Sequence, residues 1–311
     1  MPTLRERLEG GLYGLLIGDA LGVPYEFHRA EEIPPAGEIE FEPPPHFRES
    51  YSGLPPGTWS DDGAQALALL ASLLDGGQLD LEDFGRRLVA WYNEGYLAVD
   101  GHVFDVGLQT TRAIEQLKNG IPAEKAGPAE ERANGNGSLM RVLPLALWHR
   151  GRDEALVADA QRQSLVTHGH VRSQVCCALY CLWTRRTLQG DSEPWPEAVK
   201  ALRAIYRPGS PESAELEETI RPDDFVKGSG GGYVLDCLRS ARWAVERGSY
   251  ERVVKAAIGL GDDTDTTACV AGGIAGVRDG IGAIPERWRR NLRGQELVRP
   301  LMERLWQAHG I

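Results

Sequence analysis

The sequence predicts an all-α protein, and three observations carry that prediction. Nearly every segment with a clear hydrophobic period repeats at helical spacing. Strand-like alternation is scarce, the best short candidate being Glu38-Ile39-Glu40-Phe41-Glu42. Two acid-rich turns, about 200 residues apart, each lead into an apolar helical run.

Taken in order, Leu12, Leu15, Leu16 and Asp19 line a first helix that runs into Gly22-Val23-Pro24. Residues 29–57, rich in Pro, Glu and Gly, read as a long loop. Residues 64–74 are almost wholly apolar and predict a buried helix. Phe84, Leu88, Trp91 and Tyr92 recur at helical spacing, as do Val142, Leu145, Ala146 and Leu147. Val171, Val175, Ala178, Leu179 and Leu182 repeat the pattern. Residues 188–230 form a second irregular stretch, and Val234, Leu235, Leu238, Ala241 and Val245 then mark another helix. The run after the second acidic turn is small on almost every face: Ala268, Ala271, Gly272, Gly273, Ala275 and Gly276. Glycine costs about 1 kcal/mol in a helix interior relative to alanine. Close packing of neighbouring backbones offsets that, which places this helix at the centre. No repeat or linker divides the chain, so one domain over 1–311 is expected, a compact multi-helix bundle.

A net charge of −11 argues against non-specific nucleic-acid binding, which needs a basic surface. No apolar run approaches the roughly 20 residues of a membrane span. The charged start, Met1-Pro2-Thr3-Leu4-Arg5-Glu6-Arg7, does not read as a signal peptide. Cys176, Cys177, Cys181, Cys237 and Cys269 sit in helical patterns without metal spacing and read as buried thiols of a reducing cytoplasm. A cytoplasmic monomer is the expectation.

The acidic turns carry the chemistry. The first is Ser60-Asp61-Asp62; the second is Asp263-Thr264-Asp265-Thr266. Carboxylates and hydroxyls at a helix entrance are ordinary caps. One cap needs one side chain, however, and each turn offers at least three oxygens. If the fold joins the turns, four carboxylates share one site and need a cation to stay ionised together. Oxygen ligands without nearby His or Cys favour Mg²⁺, Mn²⁺ or Ca²⁺ over Zn²⁺.

Several segments, read in order, resemble the ADP-ribosylglycohydrolase family: Gly14 through Glu26; Ser60-Asp61-Asp62; Asp105-Val106-Gly107 with Thr110-Thr111; Asn136-Gly137-Ser138-Leu139-Met140-Arg141; Thr167-His168; Gly232-Tyr233-Val234-Leu235-Asp236; and Gly261 through Thr266. One departure is visible, since the family's first acidic turn usually opens with Thr and Ser60 stands here; the hydroxyl is kept. The resemblance implies an all-α fold with two divalent cations, Mg²⁺ or Mn²⁺, in a central cleft. Their ligands carry over as Ser60, Asp61, Asp62, Asp263, Asp265 and Thr266. It implies cleavage of the bond between ADP-ribose and an acceptor, the substrate being an ADP-ribosylated protein or a small ADP-ribosyl compound.

The same resemblance gives Glu26 and Asp105 catalytic roles. Read alone, Glu26 is a surface residue in a turn and Asp105 an N-cap. Asn136, Gly137 and Ser138 read as a phosphate-holding turn or a plain capped turn before a helix near Leu139, with Met140 in the same motif. His168 is either a pyrophosphate contact or a helix-start hydrogen bond, and Tyr233 either stacks on the nucleotide or is a core aromatic. Arg141 is either a buried partner of the carboxylates or a ligand contact. Lys227-Gly228-Ser229-Gly230-Gly231-Gly232, including Gly230 and Gly232 as substrate contacts, is a second phosphate-facing loop or a connector; it lacks Walker spacing. Two other functions stay open: a metal-dependent nucleotide phosphohydrolase, and a non-catalytic ADP-ribose binder or crystallin-like structural protein.

Overall fold

Thr3 starts the first helix with a capping box, its hydroxyl accepting from the Glu6 amide while the Glu6 carboxylate accepts from the Thr3 amide. In the computed structural model, which describes residues 1–311, that helix is α1 (Leu4–Gly22). It runs straight into a 3₁₀ turn, Val23–Tyr25, because Pro24 cannot continue it. The chain then passes through a long loop to α2 (Asp61–Gly76) and α3 (Leu81–Glu94). After these come α4 (Leu108–Lys118), α5 (Ala123–Ala126), α6 (Leu143–Trp148), α7 (Asp153–Leu165) and α8 (Val171–Gln189). The remainder is α9 (Pro194–Ile205), α10 (Pro211–Ala214), α11 (Val234–Val245), α12 (Tyr250–Ile258), α13 (Thr264–Asp279), α14 (Glu286–Asn291) and α15 (Gln295–Ala308).

No strand forms, so the all-α expectation holds. The candidate at 38–42 fails for a local reason. Tyr25 donates its hydroxyl to the Glu40 carbonyl and accepts from the Glu40 amide, which uses both backbone groups a ladder would need. The irregular stretch at 188–230 is also corrected: it contains α9, α10 and a π-helical turn, Glu215–Ile220. Pro194 and Pro211 obscure the pattern, yet each sits in a first helical turn, where a missing N–H is harmless.

The centre of the fold is the seam between α1 and α13. Gly10, Gly14, Gly18 and Gly22 recur every four residues along one stripe of α1. They face Gly276, Gly272, Ala268 and Asp265 of α13. A Cβ on Gly14 would stand 2.5 Å from the Gly272 carbonyl oxygen, and one on Gly276 would overlap the Gly10 carbonyl. The glycines that weaken each helix alone thus allow backbone contact between the two. α2 is buried from Asp61 to Leu73 and packs on α3, α6 and α15. One hydrophobic cluster of 82 buried residues unites these helices, so both acidic turns open from the same core.

Candidate active site

α1 and its continuation supply the first wall. Its last turn carries Asp19, and the 3₁₀ turn delivers Glu26, 3% exposed, into a cleft. The Tyr51 hydroxyl donates to Glu26 Oε2 at 2.7 Å, and Ser50 donates its hydroxyl to the Glu26 carbonyl. The surface-turn reading of Glu26 is therefore wrong. Phe27 and Asp262, both in the left-handed region (φ 62° and 56°), lie back to back. The Phe27 amide donates to the Asp262 carbonyl and the Asp262 amide to the His28 carbonyl, both at 2.7 Å. This clamp ties the Glu26 segment to the start of the second acidic turn.

The two acidic turns meet. Thr266 donates its hydroxyl to Asp62 Oδ1 at 3.3 Å across 204 residues of sequence. Ser60 is the N-cap of α2, its hydroxyl accepting from the Asp62 amide. Asp61 accepts from Gln65 Nε2 at 2.9 Å, and Asp263 from Asn136 Nδ2 at 2.9 Å. Asp265 Oδ1 accepts from the Thr266 amide. Asp62 Oδ2 and Asp265 Oδ2 are buried and have no hydrogen-bond partner. Asp265, Glu26 and Asp105 each place a carboxylate oxygen within 4.8 Å of the others, so the tightest trio mixes one expected metal ligand with both expected catalytic acids.

The electrostatics follow from this crowding. Burial, reinforced by the charges of Asp105 and Asp263, pushes Glu26 up to about 10. Burial raises Asp105 to about 6. Asp61, Asp62 and Asp265 are held well above the ordinary carboxylate range, by burial first and by neighbouring acids second. Asp263 is raised by burial as well. Without compensation, the cluster keeps protons rather than charge.

Asp105 is not a helix cap. Gly107 occupies that position for α4, and Asp105 sits at φ 59°, turned toward Glu26 and Asp265. Opposite, the cleft of about 210 Å³ is lined by Gly135, Asn136, Gly137, Met140, His168 and Gly232, with Gln109 and Thr110 above them. Asn136–Arg141 is a free-standing turn, since α6 begins only at Leu143; the helix expected near Leu139 is absent. No backbone carbonyl takes the amides of Gly137 or Ser138. The Ser138 side chain turns away from the cleft, its oxygen accepting from the Ser164 hydroxyl.

His168 does not start α8; His170 does, accepting from the Arg172 amide. His168 is buried against Gly137, where a Cβ would stand 2.8 Å from the ring. Burial, then Arg141, lowers it to about 3, so the imidazole is neutral. Tyr233 is 41% exposed, which removes the core reading, and its hydroxyl accepts from Arg172.

Arg141 is fully buried and touches no carboxylate. Its guanidinium donates to Gln65 Oε1 at 2.9 Å and to the Gln163 side chain and carbonyl. It therefore reaches Asp61 through Gln65 and makes no direct contact with the cleft. In the glycine loop, the amides of Ser229 and Gly231 donate to the Asp236 carboxylate and that of Gly230 to the Ser240 hydroxyl. Those three donors are spent internally, so only Gly232 of this loop lines the cleft, while Gly230 (φ 87°) lets the Leu260–Gly261 backbone pass.

Sequence reasoning passed over Asp19, Tyr51, Gln65 and Gln109 as site residues. Two of them left a signal. Asp19 is an acid on the apolar stripe of α1, and Gln65 is a polar side chain at the start of an otherwise apolar helix. A larger hollow of about 760 Å³ lies beside Phe27 and Phe47, but it holds none of the buried acids.

An all-α scaffold that gathers buried carboxylates from distant turns under a glycine-lined cleft defines a hydrolase-type acidic centre. The family description for ADP-ribosylglycohydrolase matches residues 1–310, and the chain belongs to that family of enzymes. It is 32% identical over 307 residues to the ADP-ribosylarginine hydrolase Tri1 of Serratia proteamaculans, covering 97% of this chain and 79% of that one. It is 28% identical over 297 residues to the ADP-ribosyl-[dinitrogen reductase] glycohydrolase of Rhodospirillum rubrum, covering 94% and 92%. A solved ADP-ribosylglycohydrolase-related protein complex superposes with a TM-score of 0.77 at 31% identity, covering 99% of both chains.

Proposed function

We propose that this enzyme hydrolyses the glycosidic bond between ADP-ribose and an arginine side chain, using Mg²⁺ or Mn²⁺ held by the two acidic turns. The observation that carries the cation reading is the pair of orphaned buried oxygens, Asp62 Oδ2 and Asp265 Oδ2, inside a cluster whose acids cannot all ionise unaided. The donor set, all carboxylate and hydroxyl oxygen, fits a hard divalent cation. Ser60, Asp61, Asp62, Asp263, Asp265 and Thr266 would hold two such ions. Bound there, the ions supply neutralising charge and Lewis-acid polarisation of ribose hydroxyls and an attacking water.

The chain's own residues do the rest. In its ionised form Glu26, steadied by the Tyr51 hydroxyl, takes the proton from the attacking water. Asp105 stands beside it, where its charge stabilises the oxocarbenium-like state at the anomeric carbon. The amides of Gly137 and Ser138 face the pyrophosphate, and neutral His168 adds a hydrogen bond without a charge. Met140 and Gly232 shape the floor, and the exposed Tyr233 offers a face to the adenine.

The acceptor end lies along the Glu26 wall. Phe27, 70% exposed, Tyr51 and Phe104 run side by side with ring centroids 6.2 and 5.0 Å apart. Aromatic faces beside carboxylates suit a planar guanidinium. The two relatives named as ADP-ribosylarginine hydrolases, at 32% and 31% identity, support the same linkage. The test is a panel of defined arginine, serine and other ADP-ribosyl linkages, with Mg²⁺ and Mn²⁺ supplied separately. Release of free ADP-ribose from the arginine conjugate is expected. Release from serine alone would sink the acceptor assignment, and AMP as product would mean pyrophosphate cleavage instead.

A further inference from the structure

Asp19 is an acid with no place in the chemistry above. It is fully buried in the last turn of α1, and its oxygens are divided between two backbone donors. Oδ1 accepts from the Ser60 amide at 2.9 Å and Oδ2 from the Gly63 amide at 2.8 Å. Between those two anchored amides lie Asp61 and Asp62. The same turn of α1 also meets the second acidic turn. Gly22 packs against Asp265, where a Cβ would collide with the backbone, and its carbonyl accepts from the Thr264 hydroxyl at 2.8 Å.

We propose that Asp19 is a positioning residue that fixes Asp61 and Asp62 for cation binding by accepting from the Ser60 and Gly63 amides on separate oxygens. The proposal rests on the reading of those two acids as cation ligands. A carboxylate fits the task because it offers acceptors at both ends and no donor. Asparagine has one acceptor, and its amide group would point a donor at a donor. Glutamate keeps the charge but moves the oxygens by one methylene. Outer groups that orient ligands typically contribute 10- to 100-fold to metal affinity. A helix cap alone would behave otherwise, stabilising the metal-free protein and leaving the cation untouched.

The experiment compares the wild type, Asp19→Asn and Asp19→Glu. Mn²⁺ binding is followed by calorimetry and by the electron paramagnetic resonance of free Mn²⁺, alongside thermal melts of the metal-free proteins. Expected are Mn²⁺ dissociation constants about 10- to 100-fold higher in both variants. The metal-free Asp19→Asn protein should melt somewhat below the wild type, because one buried amide loses its acceptor. Wild-type affinity in Asp19→Asn, whether or not its melting temperature falls, overturns the proposal. Wild-type affinity in Asp19→Glu also overturns it, because charge without position would then suffice. A wild type that binds no Mn²⁺ brings down the cation reading itself and this inference with it, an outcome distinct from both. If one variant does not fold, the affinity of the other decides.

Discussion

The two acidic turns face each other yet are built differently. Ser60–Asp62 is held by side chains: Ser60 caps α2, Asp19 takes the Ser60 and Gly63 amides at its two ends, and Gln65 holds Asp61 with Arg141 behind it. The turn before α13 has no side-chain cap. It leans more on backbone, through the glycine seam with α1 and the amide of Asp263 bonded to the Gly230 carbonyl, with Asn136 on Asp263 and the Thr264 hydroxyl on the Gly22 carbonyl as its side-chain ties. Substitutions of polar side chains should therefore disturb the first turn and spare the fold. Small additions of volume along the seam should disturb the second turn and the fold together.

The largest effect expected is on activity, where the two turns should act as one. Asp61→Asn and Asp265→Asn should each lower kcat at least about 100-fold, with the double variant little worse than either, because residues of one unit are not additive. Multiplicative losses in steady-state kinetics would separate the turns into independent sites.

On the backbone-held side, Gly276→Ala should destabilise by about 2 kcal/mol or more, since overpacking of a close-packed core costs about 1–3 kcal/mol and here the new Cβ meets backbone. Gly76→Ala, at the far end of α2 with nothing near its Cβ, should be neutral or stabilising by up to about 1 kcal/mol. Urea midpoints at equal m-values measure both. Similar losses at the two positions would refute the seam as the special feature.

The pH dependence comes next. Glu26, Asp19 and Asp105 are raised to about 10, 7 and 6, so the folded metal-free protein binds more protons than the unfolded chain above pH 4. Stability from these groups is fully present below about pH 4 and is lost progressively as pH rises from there until each group has titrated, at about 6, 7 and 10. Melts of chelated protein should therefore give a higher temperature at pH 5.5 than at pH 8.5. Added Mn²⁺ should narrow the difference, because cations compete with those protons. A chelated protein that is more stable at pH 8.5 would contradict the crowding.

The smallest effect is at Ser60. Ser60→Ala should lose about 1 kcal/mol of metal-free stability with the cap and should bind Mn²⁺ more weakly, whereas Ser60→Thr should preserve both. A lower melting temperature with an unchanged Mn²⁺ titration would leave the cap as its whole role.

The helices and the four aspartates were legible because period and composition are local properties. The structure brings Asp62 and Thr266 into contact as the paired turns require. The strand candidate failed because alternation cannot reveal that Tyr25 takes both backbone groups of Glu40. The composition of the glycine loop left a phosphate-facing loop and a plain connector both open, and Asp236, a few residues on, takes two of its amides. His168 and His170 are two residues apart and identical in type; only the fold gave one to the cleft and the other to a helix start.

By itself the sequence determined the all-α class, the small-residue character of α13 and the oxygen chemistry of the two turns, since helical propensity, volume and ligand hardness belong to side chains. Only the tertiary structure decided that Glu26 and Asp105 join Asp265, that Asp19 holds the first turn and that Arg141 backs Gln65 rather than any carboxylate. Those facts depend on which backbones approach, and the approach is set by the contact of α1 with α13, a relation between residues about 250 positions apart that no local pattern records.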